Sequence, residues 1–491
     1  MCLPVMDGSQ KTQIGDYKHC AIRILRTFTF NLIPDKNLQP ATRHQVTTSE
    51  VSNQKPQGED ILSQAIITEI KAIEIIDNRA MPTVRAYVCV DNEHWGWADV
   101  PCGSSTGSYE ARELRDGGQR YHGKGVRRAI ENIHTSIAPG LKGMTAADQR
   151  TIDNAMLEMD GTPDKSHLGA NAILGVSLAV ARAAALAAGN SLFYHLNHRG
   201  SVLPVPQACL INGGMHAGNG LDIQEYCVMP VGADSFSQAV RMLSEIFMVL
   251  KDLLERKIGR SASNSSEDGG FAPPLDSSAQ ALEVLMEAVV AAGYGDDVVL
   301  GLDLAATGFF DPATGNYSFE GRRLTPQDMR AYVENLVKQF PAIVSIEDPL
   351  MEDDFNGFAR LTEALPGVMV IGDDIFATNT GRIQEGYEAK AANAVLCKVN
   401  QIGTLTEAME TAQFALEKGY SVVVSERSGE TEDAILADIS VALNAGLFKT
   451  GGMRGSDRGA KYNRFMEIEL ELGRGARYAG RDFRKPMVSG Q

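Results

Sequence analysis

Three runs within residues 343–398 decide the fold: Ile343-Val-Ser-Ile-Glu347, Val368-Met-Val-Ile-Gly-Asp373 and Ala394-Val-Leu-Cys-Lys398. Each is short, apolar and closed by a charged side chain, which reads as a buried strand delivering one polar group at its end. The rhythm continues outward on both sides, with Val298–Asp303 before these runs and Ser421–Ser425 and Ala445–Lys449 after them. Helical stretches such as Pro326–Phe340 and Leu405–Lys418 lie between most of them. Repeated strand–helix units over residues 200–480 predict an α/β protein with a β/α (TIM-like) barrel, the doubly wound open sheet being the runner-up.

The strand ends separate these two architectures. Asp303, Glu347, Asp373, Lys398, Arg427 and Lys449 would converge on one mouth of a parallel barrel, whereas an open sheet would spread them along an edge. One acidic residue at a strand end is usually a cap for the next helix. Six charged ends in register are not six independent caps. Three carboxylates from successive strands form a hard oxygen site suited to Mg²⁺. Lys398 and Lys449 beside such an ion are expected to have lowered pKa values, and a lysine so depressed can act as a general base.

Before the barrel, Ile66–Ile76 and Thr83–Asp91 look like paired strands. A Gly/Ser-rich loop follows at Pro101–Tyr109, then helices near Val126–Ile137, Ala146–Glu158 and Ala170–Ala188. This predicts a smaller α+β capping domain over 66–199. Residues 1–65, rich in polar residues and proline from Asn37 to Glu59, read as a weakly ordered extension in which Ile22–Ile33 could form a short strand, and 481–491 as a tail.

Composition narrows the partners. The 491-residue chain carries 46 Lys+Arg against 62 Asp+Glu, a formal charge of −16. That disfavours nucleic acid and anionic membrane as main partners. The longest apolar stretch, Ala172–Gly189, is interrupted by Arg182, and the N-terminus lacks a basic head followed by an apolar run; a soluble cytoplasmic protein is expected. Seven cysteines without C-x-x-C spacing predict a reduced compartment, no disulfide framework and no structural zinc site. Cys102 and Cys397 read as buried fillers without the basic partner of a nucleophilic thiol.

Longer strings give a resemblance. Leu-Gly-Ala-Asn-Ala-Ile-Leu (168–174), Ile-Asn-Gly-Gly-Met-His-Ala-Gly-Asn (211–219), Gly-Gly-Phe-Ala-Pro (269–273), Ser-Ile-Glu-Asp-Pro (345–349), Gly-Asp-Asp (372–374), Lys-Val-Asn-Gln-Ile-Gly-Thr-Leu-Thr-Glu (398–407), Ser-Gly-Glu-Thr-Glu-Asp (428–433) and Ala-Lys-Tyr-Asn (460–463) are distributed from Ile66 to Gly473. Together they resemble the enolase, or phosphopyruvate hydratase, family. The resemblance implies a glycolytic Mg²⁺-dependent lyase, a homodimer, acting on a small phosphorylated carboxylate, 2-phosphoglycerate. It implies Asp303, Glu347 and Asp373 as ligands of one Mg²⁺ and Ser105, on the loop 103–107, as a ligand of a second. It implies Lys398 as the base, Gln224, Arg427, Ser428 and Lys449 as substrate contacts, and His216 and Glu225 as neighbours of the leaving hydroxyl.

Among several departures from the family pattern, with smaller ones at Gly308, Asn78–Met81, Gly452–Gly455 and Cys102, two bear directly on the chemistry. Where the family reads Gly-Asp-Glu-Gly-Gly, this chain reads Ser266-Glu267-Asp268-Gly269-Gly270, placing Asp268 where the family has its general acid. Aspartate is shorter by one methylene, so either the loop moves, Glu267 substitutes, or the chemistry differs. Where the family reads Ser-His-Arg-Ser, this chain reads Ser425-Glu426-Arg427-Ser428, and no histidine follows His216. A carboxylate there would repel a substrate phosphate unless protonated or paired with Arg427. Two alternatives therefore stay open: an enolase-like enzyme acting on a phosphonate or related substrate, similar to carboxyphosphonoenolpyruvate synthase, and a non-catalytic protein on the same fold.

Overall fold

A computed structural model describes residues 65–103 and 107–485. The expected N-terminal extension up to residue 64, the loop residue Ser105 and residues 486–491 of the expected tail lie outside them.

The first described element is an antiparallel sheet of β1 (Ile67–Ile76), β2 (Pro82–Val90) and β3 (His94–Asp99). The third strand was not expected from the sequence. It is added by a tight turn in which Asp91 and Asn92 have φ of 55° and 61°, the left-handed region that Asp and Asn tolerate best among residues with a Cβ. Helices α1 (Gln149–Asp160) and α2 (Ala170–Ala187) follow. Helix α2 approaches β3 closely because Gly96 has no side chain; a Cβ there would lie 2.4 Å from Ala179 O and Ala183 N. By length and composition α2 could cross a membrane, yet it is 83% buried inside the protein as a core helix. The helix expected over Val126–Ile137 widens into a π-turn over Ile133–Ile137, just ahead of Pro139, which has no N–H to continue a regular ladder.

Eight strands then close a barrel: β4 (Val205–Asn212), β5 (Glu225–Met229), β6 (Val299–Asp303), β7 (Ile343–Glu347), β8 (Met369–Gly372), β9 (Ala394–Cys397), β10 (Ser421–Ser425) and β11 (Leu447–Gly451), with β11 pairing back on β4. Closure rules out the open sheet. The interior below the mouth is apolar, packed by Val205, Met229, Met369, Ile371, Ala394, Leu396, Val423 and Leu447. Outer helices start on side-chain caps: Ser235 accepts from Gln238 N, Thr325 from Asp328 N and Thr404 from Glu407 N.

The all-parallel expectation needs a correction. Strand β5 runs antiparallel to both neighbours, pairing Cys209 with Cys227 and Glu225 with Asp303. The physical reason lies in the connection from β4: residues 213–224 form a glycine-rich loop with one short 3₁₀ turn and no α-helix, whereas a parallel crossover, besides needing at least that length, is usually carried by an α-helix. The reversal explains why Glu225 begins its strand while its neighbour Asp303 ends one. Both face the same mouth. Asp373 and Lys398 likewise stand one residue past β8 and β9, at the start of the loops rather than in the strands.

The small sheet is tied to that mouth. Arg182 of α2 pairs with Asp433 at 2.7 Å, and Asp433 also accepts from Asp99 N at 2.9 Å. Asn78 Nδ2 donates to Ser428 O at 3.1 Å, and Cys102 and Gly429 exchange two backbone hydrogen bonds of 2.9 Å each.

Candidate active site

Of the residues singled out in the sequence, His216, Gln224, Glu225, Asp268, Asp303, Asp373, Lys398, Glu426, Arg427, Ser428 and Lys449 line one cavity at the barrel mouth. Glu347 lies just beneath it, fully buried and bonded to Lys449. Glu267 does not belong to the set. It is exposed and lines a separate cavity with Arg79 and Cys102, so it does not take over from Asp268.

The cation at the centre is Lys449. Its Nζ donates to Asp303 Oδ2 at 2.6 Å and Glu347 Oε1 at 2.7 Å, and stands 3.6 Å from Glu225 Oε1. Burial opposes its charge, but Asp303, Glu225 and Glu347 outweigh burial and hold the ammonium well above its ordinary pKa. Lys398 Nζ is bonded to Asp373 Oδ2, whose other oxygen accepts from Gln401 Nε2 at 2.8 Å. Burial again disfavours the charge, and Asp373 again prevails, leaving Lys398 above its usual value. In the chain by itself the nearest charges to both lysines are carboxylates, which hold them charged; the lowering expected beside a bound ion concerns the loaded site.

Those carboxylates have the donor chemistry of a hard-cation site. Glu347 Oε2 is buried without a hydrogen-bond partner among the described residues. Carboxylate oxygens of Asp348, Asp373 and Asp374 lie within 4.8 Å of one another. Burial and then Asp373 push Asp374 up to about 7, the response of like charges crowded together. Asp348 and Asp374 were not singled out beforehand, although each directly follows a residue that was. Asp348 sets the pair in place, accepting from Asp373 N at 3.0 Å and Asp374 N at 2.7 Å.

Around the barrel, His216 Nδ1 meets Asp268 Oδ2 at 2.7 Å, and Asn212 Nδ2 donates to the same oxygen at 3.2 Å. Burial would raise the Asp268 carboxyl, but His216 and Arg458 hold it below its ordinary value; burial would lower His216, but Asp268 holds it above. A shared proton on the imidazole side is the consequence. His216 Nε2 is buried with no partner among the described residues.

Asp268 reaches His216 because its turn sits deep. Gly452 N donates to Asp268 O at 2.6 Å, and a Cβ on Gly452 would lie 2.2 Å from Gly269 C and 2.3 Å from Gly269 O. Gly452→Ala is therefore expected to push the 266–270 turn outward. It should cost about 1–3 kcal/mol of stability and, through a displacement near 1 Å, about 10²-fold in turnover. Melts and steady-state kinetics check it; a variant matching wild type in both would show that the turn has slack.

Glu426 is paired, though not as expected. Its partner is Arg458 of α3 (Ser456–Leu472), whose Nη1 lies 2.7 Å from Glu426 Oε2, rather than Arg427. Arg458 is fully buried, stands 3.5 Å from Asp268 Oδ1, and donates to the backbone oxygens of Arg427 and Ser428 at 2.8 and 3.0 Å. Burial pushes the Glu426 carboxyl well above its ordinary range despite Arg458. Arg427 is held by Glu110, which accepts from Nη1 at 2.9 Å and Nη2 at 3.1 Å, and by Asn400 Oδ1 at 3.0 Å. Glu110 and Arg458 were missed because each belongs to the site only through a distant partner.

Cys102 also differs from expectation. Arg115 Nη2 stands 2.9 Å from its sulfur, so a basic partner is present. Burial and Glu113, 3.3 Å away, nonetheless raise the thiol to about 11, which keeps it protonated.

A barrel mouth where two buried lysines meet converging carboxylates, beside a smaller α+β sheet domain, defines the class of β/α-barrel proteins with a hard-donor site at the mouth. Family comparison is specific within that class. The model of the "Enolase, C-terminal TIM barrel domain" matches residues 200–487 and that of the "Enolase, N-terminal domain" matches residues 67–196. The enolase of Methanocaldococcus jannaschii is 53% identical over 421 residues, 86% of this chain and 98% of that protein. Those of Thermococcus kodakarensis and Pyrococcus furiosus are 52% identical over 426 residues and 51% over 423, covering 86% and 85% of this chain and 99% and 98% of their own lengths. The chain belongs to the enolase family.

Proposed function

We propose that the protein interconverts 2-phosphoglycerate and phosphoenolpyruvate, as a carbon–oxygen lyase of glycolysis. The observation that carries this reading is the separation of two proton-handling groups around one cationic centre. Lys398 follows β9, while His216 and Asp268 gather beside the end of β4, three strands further round the barrel. Lys449 stands among the carboxylates between them in the cavity.

The chain's own residues then divide the work. Lys398 would lose its proton to solvent once Asp373 is engaged by a cation instead of by the ammonium, and as the free amine it removes the proton on C2 of the substrate. The electron pair moves into the substrate carboxylate, whose second negative charge faces Lys449. Arg427, exchanging part of its contact with Glu110, and Ser428 receive the phosphate. Gln224, bonded to Asp303 at 2.9 Å, orients the substrate beside Glu225. The proton shared by His216 and Asp268 goes to the departing hydroxide. Mg²⁺ fits the donor set of Asp303, Glu347 and Asp373, with Ser105 as a ligand of a second ion, and when bound supplies Lewis-acid charge to the substrate carboxylate. A homodimer in the cytoplasm accords with this role.

The phosphonate alternative loses its motive. A carboxylate paired with its own buried arginine, and pushed toward the neutral form, does not repel a phosphate as an isolated Glu426 would. Two measurements test the reading. Purified protein with Mg²⁺ should convert 2-phosphoglycerate to phosphoenolpyruvate, read by absorbance beside a reference enolase; Mg²⁺ binding without turnover would overturn the assignment and return the phosphonate class to consideration. Asp268→Asn should slow elimination by about 10²–10⁴-fold while leaving exchange of the C2 proton. An equal loss of both would remove Asp268 from the acid side.

A further inference from the structure

Beneath the catalytic cavity lie two thiols that the lyase chemistry does not use, beside a carboxylate, Glu225, that it does. Cys209 of β4 and Cys227 of β5 are direct cross-strand partners, both fully buried. Glu225, two residues before Cys227, shares their face. One ligand atom from each of Cys209, Cys227 and Glu225 can be chosen so that all lie within 4.8 Å of one another. The Cys227 thiol stands 3.6 Å from Glu225 Oε2. Two thiols and a carboxylate at such separations form the donor set of a thiophilic cation of the Zn²⁺ type, not of Mg²⁺.

A second observation points the same way. Gln207, two residues before Cys209 on the same face, is fully buried, and neither atom of its amide has a hydrogen-bond partner among the described residues. An ideal Cβ on Gly301, the cross-strand partner of Cys227, would come within 3.3 Å of Gln207 Cδ and Nε2. An orphaned buried amide costs about 1–3 kcal/mol, and this one stands two residues from Cys209 on the same strand.

We propose that Cys209, Cys227 and Glu225 form a second cation site, selective for a thiophilic divalent ion and distinct from the carboxylate cluster that suits Mg²⁺. Binding releases the two thiol protons to solvent. Two thiolates and one carboxylate around a divalent ion leave a net charge of −1, which faces the ammonium of Lys449, 3.6 Å from Glu225 Oε1. Access runs past Glu225, which lines the catalytic cavity. Because the site recruits Glu225, its occupation draws that carboxylate away from the substrate, so a thiophilic metal inhibits from beneath. C-x-x-C spacing, the usual sequence sign of such a site, is absent because the two cysteines meet across strands.

The test uses the full chain saturated with Mg²⁺, kept reduced with a phosphine, and titrated with Cd²⁺. One Cd²⁺ per chain is expected, with a sulfur-to-metal charge-transfer absorption and two sulfur neighbours by X-ray absorption. Cys209→Ala and Cys227→Ser should each weaken that binding by at least about 10-fold and reduce the sulfur count by one. Oxygen neighbours alone in the wild type, or an unchanged absorption in both variants, would overturn the proposal. The wild-type sulfur count decides the matter even where a variant fails to fold. Every readout is independent of turnover of 2-phosphoglycerate, so failure of the lyase assignment would remain distinguishable.

Discussion

Lys398→Ala is expected to lower solvent exchange of the C2 proton of 2-phosphoglycerate, and overall turnover, by about 10³-fold or more while the fold is retained. The magnitude follows from removing a positioned base from the first bond-breaking step, a loss of about 10²–10⁴-fold. Retention of the fold follows from local bonding: Asp373 keeps its contact with Gln401 Nε2 at 2.8 Å after the ammonium is gone. Lys398→Arg makes the argument sharper. It preserves a cation beside Asp373, yet a guanidinium does not deprotonate in proteins and so cannot serve as the base. Arg at this position should therefore melt near wild type and still fail to exchange the proton. Mass spectrometry of substrate incubated in deuterated solvent, with Mg²⁺ present, reads the outcome. Exchange at the wild-type rate in either variant would remove Lys398 from its role.

Much of this arrangement was legible in the sequence, because barrel strands place their ends in register. Asp303, Glu347, Asp373, Lys398 and Lys449 could each be read from an apolar run and the charge that closes it. What escaped was everything that depends on chain reversal or on distant pairing. The antiparallel β5 was hidden because five residues carry no direction; only the glycine-rich loop 213–224, with no α-helix in it, could have revealed it. Strand β3 was signalled by Asp91-Asn92, a turn dipeptide that fits φ > 0. Arg458 had no signal at all. It lies on a helix after the last barrel strand, and yet it links the two departures that the sequence presents as unrelated, standing 3.5 Å from Asp268 Oδ1 and 2.7 Å from Glu426 Oε2. One buried guanidinium thus answers for two unusual carboxylates, which is a relation between positions and cannot be read at either alone.

The largest effect on stability is expected at Lys449. Its ammonium is the shared partner of Asp303 and Glu347, with Glu225 at 3.6 Å, and all four groups are buried. Lys449→Met leaves three carboxylates facing one another without that cation, and breaking a buried ion cluster from one side costs about 3–5 kcal/mol. The loss has a sign in pH. Glu225 and Glu347 are already held above their ordinary values by burial; without the ammonium they are raised further, so the folded state binds more protons than the unfolded one. Stability relative to wild type therefore falls as pH rises through the raised values and recovers as pH falls toward the ordinary carboxylate range. Mg²⁺ should offset part of the deficit, because an ion that binds only the folded chain stabilises it by mass action. Denaturation of wild type and Lys449→Met, each in chelator and in excess Mg²⁺ across a pH series, separates these contributions. The expected pattern is a deficit that is largest in chelator at high pH and smallest in Mg²⁺ at low pH. A deficit indifferent to both would mean that Lys449 stabilises by packing its stem, not by neutralising the cluster.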